Sequence, residues 1–190
     1  MKYSIIIIFV LALTCCGVLK PVKDAAVHHM LDPLVAERSL SVSKPSIAIK
    51  RPSIPSYLDR QQLITRSDGQ LMISSLDLWG EPLDAGLSRV MASNLSRLTG
   101  SMNIQPVENF TSLDYSTLLE LRITRFEPDN SNQMMFECTW KLQPVIGGEA
   151  RSHFFRIAVP ISGTSSAMTS RVAAMNRALE LLSRQISSSL

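Results

Sequence analysis

Aromatic side chains make up only 6% of the 190 residues, and the chain holds just eight glycines, three cysteines and three histidines. So few cysteines can neither staple a disulfide mini-fold nor supply tandem zinc sites, so the core must come from apolar packing. Charge of one sign is equally scarce. Nineteen basic against sixteen acidic residues leave a formal +3, and these charges are scattered rather than gathered into the basic run that nucleic-acid binding needs. Nucleic acid is therefore not an expected partner. The apolar run Ile5 to Leu13 is about nine residues long, far short of the roughly twenty that span a bilayer as a helix. What remains is 45% hydrophobic and 18% charged, the profile of one ordinary globular domain.

The start of the chain reads as an address and an anchor. Lys2 gives a positive flank to the run Ile5 to Leu13, the arrangement of a signal peptide. Leu13, Thr14, Cys15 and Cys16 then match the bacterial lipobox, in which a leucine and two mostly small residues precede the cysteine that is lipidated. Cleavage before Cys16 puts Leu13 at the favoured position three residues upstream, whereas cleavage before Cys15 would put Ala12 there. Residues 1–15 are accordingly read as the signal peptide and Cys16 as the lipidation site, acylated by palmitate-type chains. A bacterial lipoprotein terminus carries about three acyl chains, at about 0.8 kcal/mol per buried methylene, which exceeds what stable anchoring requires. A plain secretory signal with incidental cysteines is the alternative. Removing residues 1–15 takes away Lys2 and no acid, lowering the formal charge from +3 to +2. Only Cys138 is then left as a thiol, so no intramolecular disulfide can form. Gly17 stands where an Asp commonly retains enteric lipoproteins at the inner membrane, which favours the outer membrane.

Residues 16–45 mix Lys, Asp, Ser and Pro around a short apolar island, Val27 to Leu34, and are expected to be a tether ending in at most one short edge strand. The globular domain is expected over 46–190. Ile47 to Lys50 reads as a strand closed by Pro52 and Pro55. Leu63–Arg66 and Leu71–Ser74 flank an Asp68-Gly69 pair, a hairpin signal. Pro82 suits a first helical turn and Asp84 suits its dipole. Leu83, Leu87, Val90, Met91, Leu95 and Leu98 then line one face of a helix that stops at Gly100. A strand over Met102–Val107 would complete a crossover with Leu71–Ser74 or an earlier strand. Alternation predicts three further strands, around Leu119–Ile123, Met134–Leu142 and His153–Val159, joined as an antiparallel meander. Met168, Val172, Met175, Leu179, Leu182 and Ile186 mark a closing helix capped by Ser165 or Ser166. The expected fold is α/β of the α+β kind, a mixed, largely antiparallel sheet packed with two main helices.

Signals for chemistry are weak. His28 and His29 are adjacent, so an extended chain points them to opposite sides, and His153 stands alone; no metal site is expected. Gly163, Thr164, Ser165 and Ser166 lack the lysine and glycine spacing of a phosphate-cradling loop. Cys138 and Trp140 fall on the apolar face of a predicted strand, where a thiolate is disfavoured and a core role is the simpler reading. Glu81 and Asp84 complement the helix dipole rather than forming an acid–base pair. The glycosylation-like matches at Asn94 and Asn109 are read as coincidental. No catalytic residue and no cofactor are expected, and the protein is not read as an enzyme.

One further set of residues runs in a characteristic order. Tyr57, Leu58, Asp59 and Arg60 precede a strand ending in Thr65 and Arg66. Leu78, Trp79, Gly80, Glu81, Pro82, Leu83 and Asp84 then lead into Arg89, Val90, Asn94 and Leu95. Together with the lipobox, a Phe126-Glu127 strand end, the Trp140 strand and a closing helix at Ala173, Ala174, Met175 and Arg177, this order resembles the PqiC/YmbA family of transport-auxiliary lipoproteins. The departures are Gln61 for a common Pro, Gly80 for a common Ala, and Cys15 before the lipidated residue.

The resemblance implies a fold akin to the amino-terminal, anticodon-binding-domain-like domain of TolB, without catalytic residues. It also implies an outer-membrane lipoprotein facing the periplasm, working with an MCE-domain protein of the inner membrane to carry phospholipid or similar cargo. Tyr57, Leu58, Arg60 and Trp79 are the candidate partner contacts, being apolar and aromatic residues in two loops beside element starts. The competing reading is that Leu58 and Trp79 staple the first helix to the sheet. Self-association is left open. So are an adaptor or activator of cell-wall synthesis or secretion, which would share anchor and domain, and an enzyme, which would need a polar cluster in a cleft.

Overall fold

The computed structural model describes residues 25–35, 45–109, 114–163 and 168–190. Eight strands and two α-helices follow in the order β1 (Val27–His29), β2 (Ile47–Ile49), β3 (Gln62–Ser67), β4 (Gln70–Trp79), α1 (Leu83–Thr99), β5 (Ile104–Pro106), β6 (Thr117–Pro128), β7 (Gln133–Pro144), β8 (Arg151–Pro160) and α2 (Met168–Ser187). The strands form two sheets rather than the single sheet expected, one in the order β1-β4-β3 and one in the order β5-β2-β6-β7-β8. The expected class, a mixed α+β fold with two main helices, is what the chain adopts.

The larger sheet is built on β6, β7 and β8, an antiparallel meander. β2 joins its other side, pairing in parallel with both β5 and β6. The crossover through α1 therefore connects β5 to β2, the earlier strand of the two alternatives. Ile47, Ala48 and Ile49 have no exposed surface, as a short apolar run between two parallel neighbours should.

Local sequence explains the punctuation. Asp68 and Gly69 both adopt positive φ, 49° and 79°, the backbone of a two-residue turn whose twist matches the strands it joins. Pro82 precedes α1, Asp84 lies in its first turn, and Gly100 ends it in the left-handed region at φ 73°. Leu83, Leu87, Val90, Met91 and Leu95 on α1, and Val172, Met175, Leu179, Leu182 and Ile186 on α2, are buried in one core with the inward residues of the large sheet. The predicted caps Ser165 and Ser166 lie outside the described residues.

A bulge in β6 between Ile123 and Arg125 sets up the rest. Leu119, Leu121 and Ile123 face the core; strict alternation would next send Arg125 inward. One extra residue moves Phe126 inward instead, opposite Phe136, with the rings edge-to-face at 5.0 Å. Glu127 is thereby turned to the opposite face.

The tether expectation changes most. The stretch 27–34 is packed: β1 runs parallel to β4 from Val27 against Asp77 to His29 against Trp79, and Leu31 and Leu34 are buried. The His29 ring bonds the Asp77 carboxylate at 2.8 Å. Asn94 on α1 accepts the Leu34 amide (2.8 Å) and donates to Ser183 on α2 (3.1 Å). Arg89 donates to the Leu31 carbonyl and Arg97 to that of Leu34. The packed region thus reaches back at least to Val27, well before Ser46.

Candidate functional site

The four candidate contacts separate by burial. Leu58 and Trp79 are core residues, and the Trp79 amide donates to the Gln61 carbonyl at 2.6 Å. The stapling reading therefore describes them, and neither can anchor a partner from the surface. Arg60 is exposed. It opens with Asp59, Glu81 and Pro82 onto a depression of about 250 Å³ whose floor includes Trp79 and Leu83. Loop and helix start do converge there, as the sequence order implied, but only the rim is available for contact.

Tyr57 belongs to a different constellation, which sequence reasoning missed. Its hydroxyl donates to Glu127 Oε2 at 2.9 Å, which also accepts the Phe126 amide at 2.9 Å. Glu127 Oε1 accepts Arg66 Nε at 2.8 Å and Arg125 Nε at 3.0 Å. The Arg66 guanidinium also lies 5.3 Å from the centre of the Tyr57 ring. Each carboxylate oxygen thus has two donors, the condition under which a charge with no exposed surface is tolerated. Burial, and then the Glu127 charge, push the Tyr57 hydroxyl up to about 12, so it remains a neutral donor. The hydrogen bond from Arg66 to Glu127 likewise raises the arginine's pKa. The constellation ties the Tyr57 loop and β3 to the bulged end of β6, and both carboxylate oxygens of Glu127 are engaged, which fits a structural joint. Only the bulge, invisible in the sequence, could have revealed it.

A second feature lies on the solvent face of the larger sheet. Lys50, Arg51, Arg122 and Lys141 surround an open groove of about 410 Å³. Lys50 pairs with Glu120 at 2.9 Å and lowers that carboxyl's pKa; Arg51 pairs with Asp84 at 3.2 Å. Four cations against one lining acid make this face attractive to acidic groups. Arg122 and Lys141 were visible as the polar half of an alternation, but Lys50 joins them only because β2 pairs with β6.

The remaining candidates for chemistry stay inert. Cys138 is buried, and burial pushes its thiol up to about 12. Trp140 stacks on His153 at 4.1 Å within the core. Asn94 is wholly buried, which rules it out as a modification site. Among the described residues no group of three or more His, Cys, Asp or Glu could hold a metal, and no helix is long and apolar enough to cross a membrane. Cys16 lies outside the described residues.

The described residues form a small α+β module of a kind shared with known structures. A solved but uncharacterised protein superposes with a TM-score of 0.67 at 17% identity, over 82% of this chain and 99% of the other. Protein XCC0632 from Xanthomonas campestris, bearing the family label DUF330, superposes with a TM-score of 0.68 at 16% identity, over 84% of this chain and 92% of its own. No curated protein sequence matches the chain. Residues 29–187 match the sequence model of the ABC-type transport auxiliary lipoprotein component, and the chain belongs to that family, the PqiC/YmbA-like lipoproteins. It is therefore a membrane-anchored lipoprotein serving a transport system.

Proposed function

We propose that this protein is a non-catalytic adaptor, held at the periplasmic face of the outer membrane by acyl chains on Cys16. There it receives an MCE-domain protein of the inner membrane in a phospholipid transport system. The observation that carries the reading is that one auxiliary-lipoprotein match covers nearly the whole described chain and begins shortly after a lipobox. Support also comes from the surface. The buried Trp79 and Leu83 form the floor beside Arg60, so that a charged rim residue borders a packed apolar base, as suits an interface contact. The exposed Arg60, rather than the aromatic residues, is the contact this reading assigns.

The test is site-specific photocrosslinking in intact cells from positions 59 and 60, with Ile146 as an exposed comparison position. Recovery of an MCE-domain protein from 59 or 60 and not from 146 is the expected result. Recovery of cell-wall synthases or secretion components instead would replace this partner with one from another envelope machine.

A further inference from the structure

We propose that the β3–β4 hairpin is a second, protein-borne contact with the leaflet that holds the lipid anchor, with Leu71, Met72, Ile73 and Leu76 resting in its interfacial region. The inference rests on the reading of Cys16 as the acylated residue and adds a surface that the anchor alone does not require.

Three observations converge. First, β4 is exposed along almost its whole first half: Leu71, Met72, Ile73 and Leu76 are between 37% and 57% exposed. Successive strand side chains point to opposite faces, so Leu71 and Ile73 on one side and Met72 on the other leave both faces of the hairpin apolar, which a protein in water rarely does without a use. β1 covers β4 only at Asp77–Trp79, so the edge of Gln70–Leu76 on that side carries no strand partner among the described residues.

Second, the described chain heads towards this side as it runs back from Val27 to Ala25. β1 runs parallel to β4, so going backwards from Val27 the chain heads the way β4 goes from Trp79 to Gln70, towards the hairpin tip. Cys16 precedes Ala25 by nine residues, a reach of at most about 32 Å even when fully extended.

Third, the tip defines one end of the molecule. Asn130, in the β6–β7 turn, donates to Asp68 at the tip at 2.8 Å. The β7–β8 turn, with its exposed Ile146, lies at the other end of the twelve-residue β7, about 40 Å away at the usual rise per residue. Because the chain before Val27 heads towards the tip, acyl chains on Cys16 bring the apolar hairpin, rather than the Ile146 end, to the membrane. Its side chains are then removed from water by the same leaflet.

The lipidated chain itself provides the test. Cys138 is buried and Cys16 is acylated, so a cysteine introduced as Met72→Cys, Leu76→Cys or Ile146→Cys is the reactive thiol. Each variant is labelled with an environment-sensitive fluorophore and reconstituted into phosphatidylcholine–phosphatidylglycerol vesicles containing phospholipid spin-labelled near the headgroup end of the acyl chain. Circular dichroism checks that each variant is folded. At least twofold quenching is expected at positions 72 and 76, and none at 146. If the chain floats with the vesicles but positions 72 and 76 are not quenched, the hairpin contact is wrong while the anchor stands. If the chain with native Cys16 does not float with vesicles, the anchor fails and the contact with it. A blue shift at 72 and 76 that depends on protein concentration and not on vesicles would show that a second copy covers the strand, which overturns the proposal.

Discussion

Glu127 has no exposed surface, yet it keeps a full set of donors from Tyr57, Arg66, Arg125 and the Phe126 amide. Removing the acid leaves two guanidinium groups facing each other without the charge between them, and leaves the Tyr57 hydroxyl without its acceptor. Loss of one partner from a buried ion pair costs about 3–5 kcal/mol; because Arg66 and Arg125 keep some access to water, Glu127→Ala is expected at the lower end, near 3 kcal/mol in urea unfolding. Tyr57→Phe removes one hydrogen bond and keeps the ring, for about 1 kcal/mol. Two groups here also set an alkaline limit. Tyr57 and Cys138 each hold their proton to about pH 12 in the folded chain, against about 10 and 8.5 when unfolded. A raised folded pKa contributes stability that is whole below the unfolded value and is lost as pH rises through the folded one. The urea midpoint should therefore fall from about pH 8.5 to 12. Cys138→Ala should flatten the earlier part of that decline and Tyr57→Phe the part above pH 10.

At the scale of elements, one side-chain amide ties segment 31–35 to α1 and α2 at once. Asn94 bonds Leu34 with its oxygen and Ser183 with its nitrogen, and both bonds are buried. Asn94→Ala strands the Leu34 amide and is expected to cost about 2 kcal/mol. Hydrogen exchange should show Leu34 opening far faster in the variant, while the β6–β7 ladder slows or quickens only with global stability. The element scale also shows what a sequence can and cannot reveal. The stripes of α1 and α2, the Asp68-Gly69 turn and the alternation in β7 were legible because each is a periodicity within one segment. The split into two sheets, the pairing of β2 with both β5 and β6, and the pairing of the short edge strand β1 with β4 were not, because three-residue strands have no periodicity and their partners lie some fifty or more positions away. The candidate site shows the same division. Arg60 and Trp79 do border one depression while Tyr57 joins the Glu127 constellation, and apolar character cannot distinguish a buried staple from an exposed anchor. The Glu127 constellation depends on a bulge that no local pattern announces.

At the scale of the whole molecule, β4 runs between two ends with different surfaces. The Asp68-Gly69 tip and its apolar flank point the way the amino-terminal chain leaves, and the Arg60 depression lies at the far end beside Trp79. An adaptor between a membrane and a partner needs this separation, since one surface cannot serve both at once. The segment that joins the two is β1 with Leu31 and Leu34, which is why it must be part of the folded unit. Burying a leucine contributes about 1.5–3 kcal/mol, so losing Leu31 and Leu34 together removes roughly 3–6 kcal/mol from a total that is typically 5–15. Their carbonyls also satisfy Arg89 and Arg97, and β1 lies against Trp79. A chain starting at Ser46 is therefore expected to unfold at a much lower urea concentration than one starting at Ala25. It should also bind a dye for exposed apolar surface, while the Ala25 chain melts like the mature protein. Equal midpoints for the two would mean that residues 25–45 only accompany the domain, and that the amino-terminal strand transmits no fixed orientation from the anchor to the Arg60 end.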